Sequence, residues 1–337
     1  MRNTNRESIY KFYGPLNLLE VILNESIISK DVALAFYKSN ARQILFYLQA
    51  LARIYKGIHN KKRFEKMRIS FKSLEDQLGK VDYYEAFLNQ FKKNKNVPKT
   101  VIDNLNTHYK NELINLKKLL EQDGWIDSES SKIKAIKKDL ITANWKTVID
   151  EKIAIGETVI NFIEEIEYKY EVGILNFNDL EHGVHEFRRQ IRWISIYAQA
   201  LDGLFQLKPL TVYNENLNVY LTKSILESPF NILPKAPDNV IPFYYQAPNF
   251  YALSWMIAES GNLKDEGLKT ICLENALKET GIETKTESDE LLNKTLGNSV
   301  RTPKQIKEEM EVLTDYFIYE AKVLFRLKRD IFRALSN

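Results

Sequence analysis

The stretch EHGVHEFRRQIRW, residues 181–193, concentrates two histidines, three arginines and two glutamates. It holds half of the chain's four histidines. A helix turns by about 100° per residue. That rotation puts His185, Arg188, Arg189 and Arg192 on one stripe, at i, i+3, i+4 and i+7. His182 falls near one edge of the stripe, and Glu186 and Trp193 fall at the other. Val184, Phe187, Ile191, Ile194 and Ala198 lie opposite, where they suit a core.

Two histidines beside carboxylates are one half of a metal shell. Glu181 with His185, or His182 with Glu186, supplies only part of the ligand set. A di-metal helical bundle needs a second Glu-x-x-His helix, and the sequence has none. His59 and His108 have no partner at helical spacing. Three guanidinium groups also repel a divalent cation. The reading is therefore no metal, no cofactor, and an anion. Arginine keeps its charge and offers a planar fork of donors that matches phosphate. A row of arginines about 5–6 Å apart per turn can follow a chain of phosphates. The bland alternative is a solvated face whose arginines pair with Glu181 and Glu186.

A second basic segment favours the anion. Residues 53–72 hold Arg53, Lys56, Lys61, Lys62, Arg63, Lys66, Arg68 and Lys72 against Glu65, a net +7 with histidine neutral. Residues 157–171 carry five glutamates and one lysine, a net −4. The whole chain is only +3. No whole-chain argument for nucleic acid or membrane binding follows, but an uneven field can gather anions at one surface.

The 337 residues are 44% hydrophobic, enough for a packed interior. Gly (12) and Pro (9) are too few for the turns of an all-β fold. The single cysteine, Cys272, excludes an intramolecular disulfide and a cysteine-based zinc site. No signal peptide and no run of roughly 20 apolar residues is visible, which predicts a cytoplasmic protein without a membrane partner. There is no Gly-rich phosphate loop, nucleophile elbow or zincin motif, so no catalytic residues are assigned and no enzyme is expected.

Helical periodicity predicts helices over 31–57, 62–91, 99–121, 131–170 and 177–206. Ile133, Ile136, Leu140, Ile149, Ile153, Ile160, Ile163 and Ile166 mark the apolar side of the fourth. A last helix starts at Thr302, with Pro303 at its first position and Gln305 completing a capping box, and runs nearly to the C-terminus. Residues 208–248 differ. They hold six of the nine prolines and predict an irregular insertion packed on the bundle, with a short helix near 215–228.

The segment VHEFRRQIRWISIYAQAL (184–201) resembles the signature helix of the CHAD family, the conserved histidine α-helical domain. There a histidine is followed by basic residues in the form His-x-x-Arg-x-x-x-Lys/Arg, here His185, Arg188 and Arg192. SGNLKDEGL (260–268) looks like the family's Gly-Asp turn, with Gly261, Leu263 and Asp265. LEDQLGKVDYYEAFL (74–88) is an approximate first copy, with Leu78, Gly79 and Asp82. Arg42 in NARQILFYLQALARIY then matches Arg188. Arg42 precedes Gly79 by 37 residues and Arg188 precedes Gly261 by 73, and the excess of 36 is close to the length of segment 208–248. On this alignment Ser39 stands where His185 does and Phe46 where Arg192 does, while Ser195 replaces a further basic residue.

The resemblance implies an all-α fold of two tandem pseudo-symmetric four-helix-bundle repeats, with the proline-rich insertion 208–248 in the second. The expected divisions are a lead-in segment 1–29, repeat one over 30–170 and repeat two over 171–337. It further implies non-catalytic binding of a polyanion, foremost inorganic polyphosphate, in a basic groove between the repeats. The candidate phosphate donors are His185, Arg188, Arg192 and Arg189 from repeat two, and Arg42, Lys38, Arg53, Arg68 and Lys72 from repeat one. Nucleic acid ranks behind polyphosphate as a partner. The alternative is a helical protein-interaction scaffold whose basic site has decayed, with a protein partner on segment 208–255 and its aromatic run PFYYQAPNFYALSW (242–255).

Overall fold

The computed structural model describes residues 6–335, except 128, 147, 210–214, 239, 283–284 and 298–300. Among these residues the fold is all-α but for one pair of short strands. The first half runs α1 (Arg6–Ile27), α2 (Val32–Lys38), α3 (Ala41–Ile58), α4 (Lys61–Phe91), α5 (Lys99–Gln122), α6 (Ser131–Ile141) and α7 (Val148–Glu171). A π-type turn, Leu180–His185, leads into α8 (Glu186–Ala200). Then follow β1 (Phe205–Lys208), α9 (Lys223–Leu226), β2 (Phe243–Gln246), α10 (Ala247–Glu279), α11 (Lys285–Leu296), α12 (Pro303–Asp315) and α13 (Val323–Leu335).

Amphipathic spacing explains which faces meet. Helix α3 buries Ile44, Leu45, Leu48, Leu51, Ala52 and Tyr55, and packs on α1, α4 and α8. Helix α8 turns Phe187, Ile191, Ile194 and Ala198 inward and packs on α3, α7 and α10. One apolar core runs from α1 to α13, and a smaller one joins the far ends of α4, α5 and α10. No described helix is long and apolar enough to cross a membrane.

Several expected helices are broken. Segment 31–57 splits at Ser39, whose backbone N–H donates to the Phe36 carbonyl and whose hydroxyl accepts from the Ala41 N–H at 3.2 Å. Segment 131–170 is two helices, because the chain leaves the helix over 142–146 with the Trp145 indole N–H donating to the Leu140 carbonyl at 3.0 Å. The Ile149 side chain lies outside the described residues. The C-terminal helix breaks at Lys322, where φ is +52°. Its Thr302–Gln305 capping box and leading Pro303 are present as expected. Helix α8 stops at Ala200, where Asp202 (φ +48°) and Gly203 (φ +82°) reverse the chain.

The proline-rich segment falls in the connection from α8 to α10. It packs on the bundle through Leu217, Tyr220 and Ile225, with short helical turns over 215–231. It is less irregular than expected, because FYYQ is β2, paired in parallel with β1 from Phe205↔Phe243 to Lys208↔Gln246. Phe243, Tyr245, Phe250 and Leu253 are fully buried. Much of the aromatic run 242–255 is therefore core, although Tyr244 remains 45% exposed.

His59 ends α3 inside an aromatic cage of Tyr55, Phe64 and Trp145, its ring centroid 5.1–6.0 Å from theirs. Burial, with Lys146 nearby, holds its pKa down to about 4. An unfolded histidine takes up a proton near pH 6.5, and the folded one resists until about 4. The unfolded state thus binds more protons in this window, and stability falls as pH falls through it. We expect His59→Phe to lose about 1–2 kcal/mol less than wild type between pH 7 and 4.5, read by urea unfolding.

Candidate functional site

Helices α3 and α8 lie side by side, flanked by α4 and α10 respectively. Arg42 projects from α3 across the middle of α4. Its Nε donates to Glu75 Oε1 at 3.0 Å and its Nη1 to Asp82 Oδ2 at 2.7 Å. Between those carboxylates the guanidinium lies on Gly79, where a Cβ would stand 3.0 Å from Nη2. Arg188 does the same from α8 to α10. Its Nε donates to the Ile257 carbonyl at 3.1 Å, and a Cβ on Gly261 would stand 2.9 Å from that nitrogen. Both glycines were expected in turns. Both are mid-helix instead, and the missing side chain is what lets a guanidinium lie flat on the helix.

Arg192 reaches back from α8 to α3. Its guanidinium sits 4.3 Å from the centre of the Phe46 ring, with Arg42 on the same ring at 5.8 Å. Phe46 meets Trp193 edge-on at 5.9 Å, and Arg53 covers Trp193 at 4.3 Å. The seam is thus an aromatic floor carrying three arginines, an arrangement that cation–π attraction supports, with Arg188 beside them on Gly261.

Charge on this seam is uneven. Arg42 is neutralised by Glu75 and Asp82. Neither Arg188 nor Arg192 has an ion-pair partner among the described residues. Burial lowers the Arg188 pKa, with Arg42 adding to the effect and Asp265 opposing it. Burial and the neighbouring cations Arg188 and Arg42 push Arg192 down to about 10, against the pull of Glu75. Cations crowded and half-desolvated in this way favour any anion that can reach them.

The remaining predicted donors are engaged elsewhere. Lys38 pairs with Glu85 at 2.5 Å and Lys72 with Asp76. Arg68 grips Glu65 with two donors, at 2.7 and 3.0 Å, and only 17% of its side chain is exposed. Arg189 is exposed and pairs with Glu186. His185 Nδ1 is hydrogen-bonded to Glu181 Oε1 at 2.8 Å, one turn before the arginines. The structure therefore brings together Arg42, Arg53, Arg188 and Arg192, and leaves Lys38, Arg68, Lys72, Arg189 and His185 held by carboxylates. No three His, Cys, Asp or Glu side chains among the described residues gather as a metal shell.

Sequence reasoning treated Phe46 as a lost cation, whereas it is the surface on which two cations rest. Glu75 went unnoticed, and Asp82 was read only as part of a turn. Their signal was the spacing around Gly79, at i−4 and i+3, which places both beside Arg42. Gln49 also went unnoticed. It is one step along the α3 row Arg42, Phe46, Gln49, Arg53, buried, with its Nε2 unpartnered. Compared with family models, with curated proteins and with solved structures, the chain matches none.

Proposed function

We propose that the α3–α8 seam binds a phosphate-rich polyanion without catalysis, and that inorganic polyphosphate is the ligand. One observation carries the reading: Arg188 and Arg192 are adjacent, half-buried and unpaired, beside an aromatic floor. Surface arginines ordinarily find carboxylates, as Arg68 and Arg301 do here. Phosphate oxygens supply what these two lack, through bidentate charge-assisted bonds. Membership of the CHAD family and its two-repeat organisation belong to the same proposal. They draw support from the paired geometry of Arg42 on Gly79 and Arg188 on Gly261, each joining a shorter helix to a long one. The α8–α10 connection holds the insertion, where α3 and α4 are joined by His59 and Asn60.

The test is a titration of polyphosphate of defined length at several salt concentrations, with orthophosphate and single-stranded RNA as competitors. Three or four arginine contacts predict that log K falls with log salt at a slope of roughly −2 to −3, taking about −0.7 per neutralised phosphate. Polyphosphate should displace RNA at equal phosphate concentration. A second reading rests on Arg42 and Lys38, which are already tied to Glu75, Asp82 and Glu85. On that reading the basic site has decayed and the protein is a scaffold. Absence of polyphosphate binding at low salt would decide for it.

A further inference from the structure

A second site lies away from the arginines, where the start of α1, the start of α7, the α8–β1 turn and the end of α13 converge. They enclose a cavity of about 780 Å³. That is within the roughly 300–1,000 Å³ of small-molecule sites. Its wall is aliphatic, built by Ile155, Leu201, Leu204, Val240, Pro242 and Leu335. Ile153, Ile241 and Tyr244 also line it and remain 42%, 77% and 45% exposed. Apolar side chains left open around a concave space mark a place for an apolar occupant.

The polar groups are specific. Lys11 and Lys152 both line the cavity, and neither has an ion-pair or hydrogen-bond partner among the described residues. The Lys152 ammonium is 5.0 Å from the Phe243 ring, and burial alone lowers its pKa. Two carboxylates are also present. Glu151 is buried and already engaged, one oxygen accepting from the Tyr55 hydroxyl at 2.5 Å and the other from Ser8. Asp202 is exposed, on the turn at the rim. The unmet demand inside is therefore for an anion next to a long aliphatic wall.

We propose that this cavity binds an aliphatic carboxylate of the fatty-acid class, its chain along Leu201, Leu204 and Val240 and its head between Lys11 and Lys152. This site is independent of the polyanion seam. The full chain is titrated by calorimetry with dodecanoate below its micellar concentration. Dodecylammonium and dodecanol serve as head-group controls and butyrate as the tail control. The expected result is saturable one-to-one binding of dodecanoate, about tenfold or more tighter than dodecylammonium, with butyrate not detected. Lys152→Met, which keeps the stem and removes the charge, should weaken dodecanoate about tenfold and erase its advantage over dodecanol. Lys11→Met should act in the same direction. Equal binding of dodecanoate and dodecylammonium, or no saturable binding of dodecanoate by wild type, overturns the proposal. Those two outcomes are read on wild type, so they hold even if a variant fails to fold.

Discussion

Replacing Arg188 and Arg192 together by alanine should weaken polyphosphate binding by about 100-fold or more, since each charge-assisted hydrogen bond contributes about 1.5–3 kcal/mol. The same change should leave the fold no less stable. Both side chains are disfavoured as cations by burial and by each other, and Arg42 adds to the repulsion. Removing them relieves that repulsion without orphaning a carboxylate, because neither has one as a partner. The Arg192 stem on Phe46 and the Arg188 bond to the Ile257 carbonyl are lost as well, so the gain in stability stays small. Affinity from fluorescence titration and the urea midpoint together give the signature: binding falls while the midpoint holds or rises. Arg189→Ala is the control. Its side chain is 54% exposed and paired with Glu186, and it should change neither quantity appreciably. Unchanged affinity in the double variant would move the ligand off this seam.

Gly183→Ala should destabilise the protein by about 2–4 kcal/mol, the range of severe overpacking. A Cβ there would stand 2.2 Å from the Asn176 carbonyl oxygen and 3.0 Å from the Phe177 Cα. Both are backbone, so no rotamer change relieves the contact. The glycine sits in the π-type turn Leu180–His185, which Asp179 caps by accepting from the His182 N–H at 2.6 Å. Displacing that turn shifts the start of α8 and with it His185 and Arg188. Gly57→Ala gives the opposite sign. Its Cβ would meet only Thr158 Oγ1, at 3.8 Å, and alanine in a helix is favoured over glycine by about 0.5–1 kcal/mol. Urea unfolding of the two variants measures both. A Gly183→Ala protein as stable as wild type would mean that the 173–178 loop does not bear on the turn.

The stripe His185, Arg188, Arg189, Arg192 was legible in the sequence because a helix is periodic, and so was the apolar face behind it. Periodicity does not register a break. Ser39, the 142–146 break and Lys322 interrupt helices whose apolar spacing continues on either side. It also cannot say where an arginine ends. Four rotatable bonds let Arg188 cross to Gly261 on α10, while Arg189, its neighbour in sequence, folds back onto Glu186. Net charge over residues 53–72 overstated the field for the same reason. Glu65 alone engages Lys56 and Arg68, and Asp76, outside the segment, takes Lys72. The glycines at 79 and 261 were read as turn formers, although their function is to leave room for a guanidinium. The parallel pairing of β1 with β2 joins residues 38 positions apart, and no local pattern carries such a partnership.

Helix α13 buries Val323, Leu324, Leu327 and Ile331 and packs against α7 and β2. Its Asp330 accepts from the Gln246 N–H and from Asn249 Nδ2, both at 2.9 Å, which pins the start of α10. On the ribosome this arrangement sets an order of events. Once α7 has emerged it can pack on α3 and then α8, but the part of its apolar face that meets α13 waits for a partner made roughly 150 residues later, on the order of 10–30 s at ordinary synthesis rates. During that interval the nascent chain offers an unfilled groove to chaperones and to other chains alike. Slow translation of the final segment should therefore lower the yield of folded protein more than slow translation of α3 or α4, whose mutual contact closes across two residues.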